Sequence, residues 1–219
     1  MVSSENILFC IAMPLLLLLL FVRGESFRFA LFFLLGMTTC LLAAYISGYL
    51  SLLTETSLEE TAVYLSPMVE ETLKLLPILY YFLIFRPPGR SVVQCAIVMG
   101  AGFATFENCC YILSANIDKV SFVAIRGLSV GIMHIVCMLA LAFGLLIARY
   151  YGAGSFASTL GALSLSMIFH AIYNLLVSEP GITTVIGYVL PLVTAFVLYL
   201  PYRSVAHLFA EGKLTGVTR

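Results

Sequence analysis

Seven mostly apolar runs, near residues 6–22, 28–53, 63–85, 91–113, 121–149, 157–178 and 182–202, alternate along the chain with short polar breaks. Each approaches the roughly 20 residues that a helix needs to cross the bilayer core. The breaks "RGESFR", "TETSLEET", "RPPGR", "SANIDK", "YYGAGS" and "SEPG" combine charge, Gly, Pro or Ser, which is turn chemistry. The pattern predicts an all-α fold, a polytopic transmembrane bundle of about seven spans. The breaks are short, so consecutive spans are expected to be antiparallel neighbours. An eighth span would have to come from the long second or fifth run. We expect one integral membrane domain over residues 1–219, with 203–219 as a tail and 15–20 as lipid-facing leucine filler.

Composition agrees. The chain is 62% hydrophobic and 10% charged, with a mean hydropathy of +1.08, where soluble proteins run to about 45–50% apolar and about 25% charged. Eleven basic and eleven acidic residues cancel, so nothing points to a nucleic-acid partner; the partner is the lipid bilayer. The first run follows "MVSSEN", which lacks the basic stretch of a signal peptide, and is expected to be a retained span. Six cysteines lie within apolar stretches without CxxC spacing and read as small buried hydrophobes. Arg23, Arg28, Arg86, Arg90, Arg149, Arg203, Lys213 and Arg219 fall on one side of the expected membrane. The other side has Lys119, with Arg126 near its edge, among Glu55, Glu59, Glu60 and Glu179. That bias predicts an N-terminus outside and a C-terminus in the cytoplasm.

The third run breaks the apolar rule. "LSPMVEETLKLLPILYYFLIF" holds Glu70, Glu71 and Lys74, and each ion at mid-membrane costs about 2.5–3.5 kcal/mol if unpaired. Counted inward from the outer ends of their spans, Glu70, Glu71, Glu107, His134, His170 and Asn174 fall about 6–12 Å deep at a rise of about 1.5 Å per residue. Four spans thus bring their rare polar side chains to one level. Glu70 and Lys74 have the i,i+4 spacing of an ion pair, Glu71 and Lys74 the i,i+3 spacing, and His170 and Asn174 share a face. Gly100 and Ala104 precede Glu107, as Gly127 and Gly131 precede His134, and such small-residue faces let helices approach.

Two adjacent glutamates beside a lysine can divide acid–base work: one takes a proton from water while the other holds or orients it. Histidine and asparagine N–H groups can stabilise an oxyanion. This is the equipment of a hydrolase, with Glu70, Glu71, His134, His170 and Asn174 as the catalytic candidates and Lys74, Glu107 and Asn108 in support. Glu70 is the expected base. A Glu–Lys pair can also merely bind helices together, and Lys74 and Glu107 are the members that fit that plainer role best. Cys109 and Cys110 read as packing, and His207 lies in the expected tail without a role. No Ser–His pair stands out as nucleophile and base, and the HExxH of a zinc protease is missing. The favoured reading needs no cofactor; in the alternative, Zn2+ or another divalent metal is held by Glu70, Glu71, Glu107, His134 and His170. A proton-coupled transporter or scramblase would also gather carboxylates and histidines, and a membrane scaffold would need only the small-residue faces. Transporters usually show repeated halves with the site at the midplane. Here no repeat is visible and the polar level is displaced toward one face, which favours the enzyme.

"VEETLK" (69–74), "GFATFEN" (102–108), the span holding His134, and "FHAIYN" (169–174) resemble the PrsW family of bacterial intramembrane proteases. That family is similar to the type II CAAX prenyl endopeptidases and the bacteriocin-protection proteins. The resemblance covers about residues 60–178. It implies a glutamate-dependent endopeptidase in the bacterial cell membrane that cuts a membrane protein or peptide near the outer face. The family is known for starting the breakdown of an anti-sigma factor in a stress-signalling cascade, and its name includes a metalloprotease label. By position it assigns the paired glutamates to Glu70 and Glu71, its histidines to His134 and His170, and the HxxxN of the wider superfamily to His170 and Asn174. Where the prenyl endopeptidases carry EExxxR, this chain has Lys74 one residue earlier, which speaks against a prenylated substrate; some relatives carry an acid where Asn174 stands.

Overall fold

In the computed structural model, which describes residues 3–115, 119–151 and 155–210, the apolar runs are helices. In chain order these are α1 (Ser4–Phe21), α2 (Gly24–Thr54), a single turn α3 (Leu58–Glu60), a π-helical turn (Thr61–Leu65), α4 (Ser66–Phe85), α5 (Gly89–Ala115), α6 (Val120–Tyr151), α7 (Ser155–Ser178) and α8 (Ile182–Ala210). Among the described residues, six of the seven long helices are long and apolar enough to cross a membrane. The seventh, α4, has 20 residues, about 30 Å of helix, and carries Glu70, Glu71 and Lys74. The expected all-α bundle of about seven spans is therefore the fold. With 31 and 32 residues, α2 and α6 are each continuous, so neither long run yields an eighth span. Helix α8 continues to Ala210, taking in the start of the expected tail; residues 211–219 lie outside the described residues.

The helix ends follow the local sequence. Ser3 caps α1 by accepting the Asn6 N–H. Glu55 and Arg86 take left-handed conformations as α2 and α4 stop, and Pro87–Pro88 then forbid continuation of α4. Ser57 and Glu60 form a reciprocal capping box at α3. The Ser57 backbone N–H holds the Glu60 carboxyl below its usual range. Just beyond, the π-helical turn leads directly into α4, a local widening that is frequent beside functional sites.

The closest-packed helix pairs are α2 with α5, α5 with α6, and α6 with α7, while α1 and α8 flank this row. Helix α4 lies against α2, α5, α6 and α7 together, which is how one helix can offer side chains to three others. The tight α2–α5 contact rests on two glycines. A Cβ on Gly36 would fall 2.2 Å from the Met99 carbonyl oxygen, and one on Gly102 would fall 2.2 Å from that of Phe33. Gly100 similarly admits the α6 backbone at His134. Gly127 and Gly131 do not repeat that design: a Cβ on either would meet nothing within 4 Å. Their side of α6 is open there. Serines fasten α6 to α7: Ser158 donates to the Gly144 carbonyl at 2.9 Å and Ser166 to that of Cys137 at 3.1 Å.

Leu16, Leu17, Phe21, Leu83 and Phe196 are exposed, while Lys74, Glu71 and His134 are fully buried. This inside-out distribution suits a chain whose solvent is lipid. The six cysteines are free; Cys40, Cys95 and Cys137 are buried as expected, whereas Cys109 and Cys110 are half-buried and Cys10 is exposed on α1.

Candidate active site

Glu70, Glu71 and Lys74 occupy consecutive turns of α4, Glu107 comes from α5, His134 from α6 and His170 from α7. Their side chains form one connected polar chain. Lys74 Nζ donates to Glu71 Oε1 at 2.6 Å and contacts His134 Nδ1 at 2.9 Å. His134 Nε2 lies 2.6 Å from Glu107 Oε2, and Arg126 closes this end by donating to Glu107 Oε1 at 3.2 Å. At the other end His170 Nδ1 lies 2.8 Å from Glu71 Oε1, and its Nε2 faces Glu70 Oε2 at 3.8 Å.

The partners fix the imidazole tautomers. An ammonium can only donate, so His134 Nδ1 accepts from Lys74 and His134 Nε2–H donates to Glu107. A carboxylate can only accept, so His170 Nδ1–H donates to Glu71, and the lone pair of His170 Nε2 points toward Glu70. Glu71 Oε1, in a carboxylate wholly removed from solvent, thus receives two charged or polar donors, while Glu71 Oε2 is buried with no hydrogen-bond partner among the described residues. Glu70 Oε2 is buried with no hydrogen-bond partner among the described residues. A carboxylate oxygen and an imidazole lone pair, 3.8 Å apart, are both acceptors, and a water molecule bridging them would donate one hydrogen to each.

Four of the sequence-selected candidates, Glu70, Glu71, His134 and His170, meet in this cluster, together with Lys74 and Glu107. Two details differ from the sequence expectation. Lys74 pairs with Glu71 at i,i+3 rather than with Glu70 at i,i+4. Asn174 stands one turn beyond His170, but its Nδ2 donates at 2.8 Å to the Ala62 carbonyl in the π-helical turn, so at least one N–H is spent on backbone. Asn108 Oδ1 is buried without a partner and does not join the chain of contacts.

Sequence reasoning assigned no role to Arg126 or to two aromatic neighbours. Arg126 lies over the Tyr111 ring at 3.5 Å while pairing with Glu107. Phe103 packs tilted against His134 at 4.7 Å between centroids and receives Lys74 Nζ at 4.6 Å. Arg126 precedes His134 by about two helical turns, a spacing that by itself names no partner; its reach to Glu107 depends on how α5 and α6 pack.

Glu70, His134 and His170 each bring a potential ligand atom within 4.8 Å of the other two, and one carboxylate with two imidazoles is a donor set that zinc accepts. Glu70 and His170 have an open acceptor each. His134 has none: its one lone pair receives Lys74, and its one N–H is given to Glu107. As arranged, the trio does not present three donors to a metal ion.

The family model described as PrsW family intramembrane metalloprotease matches residues 25–201. Among curated proteins and solved structures, none matches the chain significantly.

Proposed function

From the premise that this chain belongs to the PrsW family of intramembrane metalloproteases, we propose that Glu70 activates the water that cleaves its membrane-protein substrate. The chain is an integral membrane protease, and its substrate shares the bilayer with it. The observation that carries the proposal is the facing pair of acceptors, Glu70 Oε2 and His170 Nε2, at 3.8 Å. Water held between them gives one proton to Glu70 as its oxygen bonds to the scissile carbonyl carbon. Glu71 fixes the His170 ring through Nδ1, so that Nε2 is the nitrogen offered to the water. Lys74, held by Glu71 and His134, supplies the fixed positive charge that favours the tetrahedral oxyanion, and Glu107 with Arg126 orients His134 behind it. The C–N bond then breaks as the Glu70 carboxylic acid returns its proton to the leaving amine. Water is consumed, and a carboxyl and an amino terminus are the products. A metal is not required for any of these steps.

Asn174 enters chiefly through backbone. By holding the Ala62 carbonyl it braces the π-helical turn that sets the rotation of Glu70 and Glu71. Its second N–H is what it has left to offer an oxyanion. His170→Ala is therefore expected to lower the cleavage rate about 10²–10³-fold, the usual effect of losing a positioned polar group. Asn174→Ala is expected to cost less, about tenfold, with its main effect on kcat. Rates for both variants in reconstituted vesicles check this ordering; an Asn174 loss larger than that of His170 would contradict it.

The site lies toward the outer face if the basic loops are cytoplasmic. A cysteine introduced at Pro88 should then react with membrane-impermeant maleimide only after permeabilisation; labelling of intact cells would reverse the orientation. Outward cleavage of a membrane anti-sigma factor in the bacterial cell membrane is the substrate assignment consistent with this side.

A further inference from the structure

We propose that Lys74 is a tethered cation that keeps divalent metal out of the Glu70–His134–His170 trio. The proposal rests on the metal-free reading above and assigns the reason for it to one side chain. His134 is the ligand that decides whether the trio closes around a metal, because Glu70 and His170 alone supply two donors. Lys74 Nζ stands 2.9 Å from His134 Nδ1, within bonding reach of the only lone pair on that ring. Turning to the other tautomer would not help. A metal on Nε2 would displace Glu107 and set Nδ1–H against the Lys74 ammonium, donor against donor.

Charge acts in the same direction as contact. The cluster holds three carboxylates, with Lys74 on Glu71, Arg126 on Glu107 and Glu70 against His170; without Lys74 one cation is left among them. A divalent ion entering the native cluster meets an ammonium beside its third ligand. With Lys74 removed, the same ion meets a free imidazole lone pair and a more negative field. The rest of a ligand site is already in place: His170 Nδ1–H bound to Glu71 and His134 Nε2–H bound to Glu107 reproduce the carboxylate–histidine pairs that orient metal-binding imidazoles.

The test is cobalt(II) titration of the full-length protein in detergent, read by visible ligand-field absorption. The native chain, Lys74→Met, Glu71→Gln, and Lys74→Met with Glu71→Gln are compared; the double substitution removes the buried charge pair together and so guards against misfolding. We expect Lys74→Met to bind one cobalt at least about tenfold more tightly than the native chain, a gain corresponding to one freed ligand contact, and the double variant, which also loses the carboxylate that orients His170, to bind at least about tenfold more tightly than Glu71→Gln alone. Adding His134→Ala should abolish the gain. Equal cobalt affinity in all folded proteins, or tight binding by the native chain that needs His134, would overturn the proposal. Cleavage is measured separately on metal-depleted native protein. Cleavage there without a cobalt gain in the variants sinks this inference alone, and a cobalt gain without cleavage sinks the proteolytic mechanism alone.

Discussion

Glu70→Gln should leave the chain folded and slow cleavage about 10²–10⁴-fold, the effect of removing a positioned general base. Shape and hydrogen bonding both argue that the loss is confined to chemistry. Glutamine is nearly isosteric with glutamate, and Glu70 Oε2 has no hydrogen-bond partner to lose. Nor does Lys74 depend on Glu70 as its ion-pair partner. Detergent-solubilised variant and native chain should therefore melt within a few degrees of each other while their rates differ by orders of magnitude. A variant that retains more than about a tenth of native activity would exclude Glu70 as the base, since loss of a base costs at least about 10²-fold.

Lys74→Met should have the opposite profile, a loss of stability first. Breaking a buried ion pair from one side costs about 3–5 kcal/mol because the remaining charge is stranded. Both side chains of this pair are wholly buried, and Glu71 would keep only His170 as a donor to Oε1. Combining Lys74→Met with Glu71→Gln removes the stranded charge, and the double variant should recover most of the lost stability. It should not recover activity, because the fixed positive charge is gone. Thermal unfolding of native, single and double variants measures this. If the single variant is as stable as the native chain, the pair is not a buried ionic contact.

These two profiles separate what the sequence could show from what required three dimensions. Spans were legible because lipid demands long apolar runs, and counting along straight helices put Glu70, Glu107, His134 and His170 at one level, where their side chains do meet. Partner choice was not. The i,i+4 preference that suggested Glu70 for Lys74 belongs to exposed helices, where such pairs are worth about 0.2–0.5 kcal/mol. Inside the bundle, the packing of α4 against α6 and α7 turns Glu71 inward instead, between Lys74 and His170. Periodicity likewise put Gly127 and Gly131 on a face but could not say that nothing lies opposite, and it gave no hint that Gly36 and Gly102 join helices α2 and α5, which are far apart in sequence. Arg126 looked like a loop charge near the membrane edge. Its reach to Glu107 appears only when α5 and α6 are set side by side.

The same geometry explains how a charged helix is tolerated among lipids. Every ionised group of α4 that is deeply buried is paired or faces a partner on α6 or α7, and Phe103 adds an aromatic face beneath the ammonium.

If Glu70 drives peptide-bond hydrolysis within the membrane, its activity leaves new protein N-termini there. Mass-spectrometric mapping of new protein N-termini in membranes carrying either the native chain or Glu70→Gln, at equal expression, tests it most directly. New termini within or beside the outer ends of membrane spans should appear with the native chain and disappear with Glu70→Gln. The same termini at equal abundance in both membranes would contradict it.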